Sequence, residues 1–542
     1  MSVAANAAPE GIPFGRSLLD HAIAERLAGG GRVTVSGRDL AAPDLRALYA
    51  PRDYAPLWVG QDGPSPRVRE LLDALAGAGR EGLVVDDYYR DEIDNALVGT
   101  GLADRVAAEL LLSAAAMRYG ADVAVGRIDP RRLTDQIDFG PRSIDRPALA
   151  LTAATTPDVD AYLNGLAPAR PAYDDLRRAL AQYRELAAAG GWPTVPDGPL
   201  LRPGDAGDRA PALRARLEVT GDWSAHAAAG GDRDAPVHDE ALVAAVERFQ
   251  ARHGLAVDGI VGPRTLAALN VPATVRVGQI VATMERWRWL PDALGNRHLL
   301  VNVPDFSLTV VDNEQAVRRM KVIVGRPTRP TPLFSSDLTW MEFNPTWTVP
   351  TSIAEKDYLP VLLDDPGYLA DHNIRLYSGW QAGADELSAT DIDWSLVGRG
   401  IRGLMLRQEP GSGNALGKVK FMMANRFSVY LHDTPGRSLF SRDVRTFSSG
   451  CIRLAEPLWL ADYLLDGAAR WRGTRRASIL DGWDTTRMSM PASMPLHVVY
   501  VTAWIDDQGR MNFRDDIYDI DSGLLDALAV ARPPHQQLVQ AD

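Results

Sequence analysis

The chain has 542 residues, nine histidines and one cysteine, Cys451. One histidine, His432, precedes that cysteine by 19 positions, within a hairpin's reach. A thiol is a poor nucleophile and a thiolate a strong one. A neighbouring imidazole can take the proton, which leaves a thiolate–imidazolium pair at neutral pH. The local sequence is Ser448-Ser449-Gly450-Cys451-Ile452-Arg453. Polar residues before the cysteine and an arginine after it argue against the competing reading, a structural thiol beside a strand-end histidine. Gly450 lets the backbone approach a substrate closely. The amides of Gly450 and Cys451 are expected to hold an oxyanion. The imidazole needs an orienting partner: a backbone carbonyl near Asp433 or Thr434, or the Asp433 carboxylate. Tyr430 and Ser428 share a strand face with His432 by the period of two, so Tyr430 should border the pocket. Arg453 suits a substrate carboxylate or braces the loop. Ser449, Trp347 and Asn344 complete the expected substrate-binding set.

These residues need strands to carry them. Periodicity turns β-rich after His298: 299–312, 321–325, 338–350, 420–432 and 496–509 read as strands, and 456–471 as a helix starting near Pro457. Residues 351–405 revert to mixed helix and loop, as an insertion would. Upstream, 46–190 reads as helices kept short by Gly, Pro and Asp-Pro breaks, and 276–290 as one more. Residues 190–209 are Gly/Pro-rich and read as a linker. A small helical unit follows, with Leu242, Val246 and Phe249 as core, a tight turn at Asp258-Gly259 and Pro263 starting its third helix.

The stretch YLHDTPGRSLFSRDVRTFSSGCIRL (430–454) resembles the active-site motif of the L,D-transpeptidase (YkuD-like) catalytic domain. That motif has a His, a spacer, Ser/Thr-His-Gly-Cys, then an apolar residue and Asn or Arg. Ser449 replaces the motif's second His, and Arg453 ends it, as in the large YcbB-type subgroup of Gram-negative bacteria. LAVDGIVGPRTLAALN (255–270) resembles half of a peptidoglycan-binding three-helix module. Residues 46–190, through Tyr54-Ala55-Pro56-Leu57-Trp58, resemble that subgroup's helical scaffold. The resemblance implies an α+β multidomain fold: a mostly β catalytic domain with a capping insertion, a helical scaffold and a three-helix binding domain. The expected layout is a partly disordered leader at 1–45 with a short helix near 18–27, scaffold at 46–194 continued by 276–292, binding domain at 195–275, catalytic domain at 293–525 with its cap at 351–405, and a tail at 526–542. It maps the nucleophile onto Cys451 and the base onto His432, and implies 3→3 cross-linking of peptidoglycan stems. An L,D-carboxypeptidase, an enzyme making or cleaving an outer-membrane protein link, and a non-catalytic peptidoglycan-binding protein are the alternatives. It also implies carbapenem acylation of Cys451 and cell-wall synthases as partners.

Composition narrows the field. Hydrophobic residues make up 46% and charged residues 24%, which excludes a disordered or collagen-like chain. The balance is 58 basic against 70 acidic residues with no long basic run, so no nucleic-acid partner is expected. One thiol forms neither an internal disulfide nor a multi-cysteine metal site. No catalytic metal or cofactor is expected. Asp506, Asp507 and Gly509 read as a hairpin turn rather than a calcium loop, and Gly411, Gly413 and Gly417 as a loop rather than a phosphate cradle. The N-terminus MSVAANAAPEGIPFG lacks signal-peptide character. A peptidoglycan substrate places the protein in the periplasm, so the export signal or anchor is expected to be missing from this chain.

Overall fold

The computed structural model describes residues 17–530, apart from 141, 225–233, 469–470 and 472. The first helical body is built around Leu102–Val125, a 24-residue helix buried on nearly every side. It is longer than the breaks led one to expect. The run 102–125 contains no proline, and its one glycine, Gly120, sits where Leu149 packs too closely for a Cβ. Inside the body, buried Glu109 accepts from the Tyr49 hydroxyl (2.6 Å) and from the amides of Leu57 (2.6 Å), Trp58 (3.0 Å) and Val59 (2.8 Å). Burial raises the Glu109 pKa, and those donors oppose the shift. The YAPLW segment is thus tied by its backbone.

The leader is more ordered than expected. Leu18–Leu27 forms the predicted helix, capped by Ser17 and Asp20. A hairpin of Arg32–Val35 with Arg38–Ala41 and the helix Ala42–Tyr49 follow. Leu19, Ile23, Val35 and Leu40 are buried in the same core as the later helices, so this body begins before residue 46. Residues 1–16 lie outside the described residues.

The small helical unit comprises Arg209–Val219, Glu240–Arg252 and Pro263–Leu269 around Leu213, Leu242, Val246 and Phe249. The Gln250 side chain pins its turn, accepting from the amides of Asp258 (3.0 Å) and Gly259 (2.9 Å). Gly259 takes φ +68° there. The helix Ala273–Trp289 then returns along Pro171–Ala188.

The β-rich part is a barrel. Its strands run in the order Val419–Met423, Leu431–His432, Ile452–Leu454, Gln315–Gly325, Ser307–Asp312, Arg297–Asn302, Thr486–Val499 and Leu333–Phe343, and the last pairs back with the first. A short strand from the helical body, Ile137–Asp138, adds in parallel to Leu333–Phe343. Residues 420–432 are not one strand. The chain turns after Met423, held by Asn425, and Ser428 adopts φ +57° before the next strand. Trp504 and the rest of Ala503–Ile505 pair with Met511–Phe513 around the Asp506 turn, which is a hairpin.

The insertion contains more strand than expected. Trp347–Thr348, Met405–Gln408, Ile374–Tyr377 and Glu386–Leu387 form a four-stranded antiparallel sheet, so the subdomain extends to 347–408. Its own core gathers Val349, Leu362, Leu376, Trp394 and Leu406. At the other end the expected tail boundary falls within the helix Ile520–Val530, whose Leu524 and Leu528 are buried against the barrel. Residues 531–542 lie outside the described residues. No described helix is long and apolar enough to cross a membrane.

Candidate active site

Three adjacent strands position the site. Leu431–His432 lies between Val419–Met423 and Ile452–Leu454, with Lys420 opposite His432 and His432 opposite Arg453. Leu431 and Ile452 face the barrel core. The period of two therefore turns Tyr430, His432, Cys451 and Arg453 to the other face. A one-residue slip would bring the two aliphatic side chains out, at roughly 1.5–3 kcal/mol each, so the register is strongly specified.

That face lines a cavity of about 460 Å³. Cys451, His432, Tyr430, Ser449, Arg453 and Trp347 all border it, and Pro350, Ile353, Asp357 and Tyr358 of the inserted subdomain cover it. Asn344 does not reach it. Its side chain is buried, donating to the carbonyls of Ile479 (2.7 Å) and Asp484 (3.3 Å) and accepting from Lys418 (3.2 Å), so it is a structural residue. An asparagine at a strand end carries no local mark that separates these two uses.

His432 Nδ1 lies 2.5 Å from the Asp433 carbonyl. A carbonyl only accepts, so Nδ1 carries the proton and Nε2 is the free base. Of the orienting groups considered, it is the backbone that serves. The Asp433 carboxylate turns away to the Lys418 amide (2.8 Å) and Arg437 (3.1 Å). The Tyr430 ring meets the His432 ring edge-on at 5.6 Å. The Tyr430 hydroxyl interacts with both Trp347 and the Cys451 sulfur, and the Tyr430 amide also faces that sulfur.

The glycine has a conformational duty. Gly450 holds φ +112°, a region that other residues avoid. Its carbonyl accepts from Thr331 Oγ1 at 2.8 Å. Its amide donates to Ser448 Oγ at 3.2 Å, so this expected oxyanion donor is already engaged. Ser448 Oγ in turn donates to the Cys451 carbonyl at 2.5 Å.

The electrostatics differ from a thiolate–imidazolium pair. Burial, followed by the charge on Arg453, pushes His432 down to about 3. Burial raises the Cys451 thiol above its ordinary value, although Tyr430, Lys420 and Arg453 oppose the shift. Both groups therefore rest neutral. A covered pocket penalises each ion, and cations on the two flanking strands disfavour a third positive charge between them.

Three functional candidates escaped the sequence reading. Lys420 sets its ammonium 4.5 Å from the centre of the Tyr430 ring and faces both His432 and Cys451. Arg326 lines the cavity. Arg329 grips Asp357 of the covering subdomain through two contacts (2.5 and 3.0 Å) and donates to Ser449 Oγ (2.9 Å). Only the alternation in 419–423 hinted at Lys420; the two arginines arrive by long-range pairing. Arg453 Nε is buried and has no hydrogen-bond partner among the described residues. No described cluster of three or more His, Cys, Asp or Glu side chains is placed to hold a metal ion.

Comparison with known proteins agrees with this architecture. Residues 296–474 match the L,D-transpeptidase catalytic domain, 43–180 match a scaffold domain, and 227–269 match a domain described as "Putative peptidoglycan binding domain". A curated protein of Haemophilus influenzae, named "Putative L,D-transpeptidase", is 34% identical over 243 residues, 45% of this chain and 48% of that protein. The chain thus spans about half the length of that relative. Among solved structures, an L,D-transpeptidase from Stackebrandtia nassauensis is 14% identical, covering 57% of this chain and 96% of its own, with a TM-score of 0.22. Another, in complex with imipenem, is 17% identical over 38% and 59%, with a TM-score of 0.18. The chain is thus similar to L,D-transpeptidases over its catalytic domain. It carries a YkuD catalytic domain and a peptidoglycan-binding module, with its single cysteine in the catalytic region.

Proposed function

We propose that the protein is a peptidoglycan L,D-transpeptidase that forms 3→3 cross-links between stem peptides. The observation that carries this reading is the covered cavity in which Cys451, Tyr430 and the Nδ1-anchored His432 meet beside the unpartnered Arg453 Nε. The donor is a tetrapeptide stem. A carboxylate of that stem binds Arg453. This offsets the cation that disfavours imidazolium, so His432 Nε2 can take the thiol proton as sulfur attacks. The S–C bond forms at the carbonyl of the third residue. The oxyanion is held by the Cys451 amide and the Tyr430 hydroxyl. As the C–N bond breaks, His432 returns the proton to the leaving D-Ala amine. The side-chain amine of a second stem's diamino acid then attacks the thioester. His432 takes its proton and passes it to the departing sulfur, which restores the thiol.

The cover over the cavity favours the amine by excluding water, which would otherwise release a tripeptide. The class of substrate places the protein in the periplasm. A β-lactam of the carbapenem type should acylate Cys451 by the same first step. The test is incubation with disaccharide-tetrapeptide, with Cys451→Ala in parallel, and mass spectrometry of the products. Cross-linked dimers lacking one D-Ala, and absent with the variant, are the expected result. Tripeptide alone would replace this reading with the carboxypeptidase. Absence of both products, together with failure of imipenem to add its mass to Cys451, would leave a binding protein.

A further inference from the structure

A second cavity, of about 500 Å³, opens between the peptidoglycan-binding module and the barrel. The module contributes Leu255, Val257 and Arg264. The barrel contributes Arg319 and Lys321 from the strand Gln315–Gly325, together with Arg445 and Arg514. Three acids face these five cations, and they do not balance them. Asp305 is taken up by Arg319, Arg514 and Ser307. Among the described residues, the carboxylates of Asp443 and Asp515 form ion pairs with Arg264, each at 3.9 Å, the outer limit of such a pair, and act on Arg445 and Arg514 only from a greater distance. The Lys321 ammonium has one hydrogen-bond partner among the described residues, the Phe440 carbonyl at 3.3 Å. Arg445 is buried, and its hydrogen bonds go to carbonyls: Val322 and Phe306 at 3.1 Å, Arg442 at 2.7 Å and Asp443 at 3.3 Å. Carbonyls satisfy donors but cancel no net charge, so the cleft keeps an unspent attraction for anions.

We propose that this cleft is a second peptidoglycan site, in which Arg264, Lys321 and Arg445 bind the carboxylates of a stem peptide on the strand held by the module. This rests on the peptidoglycan reading above and adds where the strand lies. The wall of the cleft leads to the nucleophile: Arg445 precedes the strand Thr446–Ser448, which runs into Cys451. Arg445 and Cys451 are six positions apart, at most about 20 Å of extended chain. A strand anchored at the cleft therefore presents a neighbouring stem to the catalytic cavity. Binding becomes partly intramolecular, which raises the local concentration of that stem. The apolar edge formed by Leu255, Val257 and Val444 gives the ligand's uncharged parts a surface to lie on.

The test is a calorimetric cycle on the full chain carrying Cys451→Ala, so that nothing turns over. The ligands are disaccharide-tetrapeptide and the same molecule with its carboxylates amidated. The proteins are this parent and the parent with Arg264→Met and Lys321→Met. The proposal expects the paired substitution to weaken the acidic ligand roughly tenfold. It also expects the penalty for amidation to shrink by the same factor in the substituted protein. Carboxylate contacts at Arg453 are common to both proteins and cancel. Unchanged affinity after substitution, or an amidation penalty equal in the two proteins, overturns the proposal. So does inorganic phosphate that competes as well as the acidic ligand, since it marks a general anion cleft. Imipenem acylation of the otherwise wild-type Arg264→Met/Lys321→Met protein should match that of the unaltered protein, which shows the fold intact. Failure of the unaltered protein to acylate would count against the catalytic reading alone.

Discussion

At the scale of the residue, Cys451 and His432, the proposed nucleophile and base, line one cavity, yet neither is charged at rest. The barrel face turns Cys451 toward Tyr430, and the Asp433 carbonyl fixes the His432 tautomer. His432 is held down to about 3 and the thiol is raised above its ordinary value. The sign of the pH dependence follows. Thiolate is scarce at neutral pH in the free protein, and it grows as pH rises toward and beyond the thiol's ordinary range. Alkylation of Cys451 by iodoacetamide should therefore climb steadily from pH 6 and still be climbing at pH 9, as read by mass spectrometry. A plateau between pH 5 and 7 would mark a pre-formed ion pair and defeat this account. The partners Cys451 and His432 were legible because each belongs to a scarce residue type and they stand in one motif. Their resting charge was not. It depends on Lys420 and Arg453 arriving from separate strands and on a cover contributed from elsewhere in the chain, and no local pattern reports either.

At the scale of the element, the decisive contact joins the inserted subdomain to the loop before the nucleophile. Arg329 holds Asp357 through Nη1 and Nη2, and the same Nη1 donates to Ser449 Oγ. Asp357 is about one-third exposed, so screening leaves the ion pair worth about 1 kcal/mol, roughly fivefold in the closed population. Arg329→Met should open the cover more often and admit water. The expected outcome is a rise of roughly fivefold in the ratio of tripeptide to cross-linked dimer. Cys451 should still be acylated by imipenem within about twofold of the parent rate. An unchanged product ratio would remove the latch. The insertion itself was visible from the loss of strand periodicity after residue 350. Its sheet was not, because Trp347–Thr348 and Glu386–Leu387 are only two residues long and too short to show alternation. Asn344 misled for a related reason: a polar residue at a strand end is equally at home lining a cleft or tying down a neighbouring loop, and here it ties down 479–484.

At the scale of the whole molecule, the bodies are interleaved rather than strung in series. The binding module lies between two helices that pack on each other, Pro171–Ala188 and Ala273–Trp289. Glu285 on the second helix accepts from the amides of Arg127 (2.6 Å) and Ile128 (2.9 Å), while Arg286 pairs with Asp521 beyond the barrel. The general plan could be read from the shift of periodicity and from two motifs. The resemblance implied a module inserted into the scaffold, but the contacts that hold this interleaving join residues far apart in sequence and left no local mark. The interleaving has one further consequence. Ile137–Asp138 occupies the free hydrogen-bonding side of the strand Leu333–Phe343 near Leu333. A fragment beginning at residue 293 would lose that strand and bare the backbone of Leu333 and Phe334 beside an apolar face. Open strand borders of this kind recruit other chains. The isolated catalytic piece should therefore self-associate in light scattering at concentrations where the full chain does not, so the helical body acts as a chaperone built into the enzyme it supports.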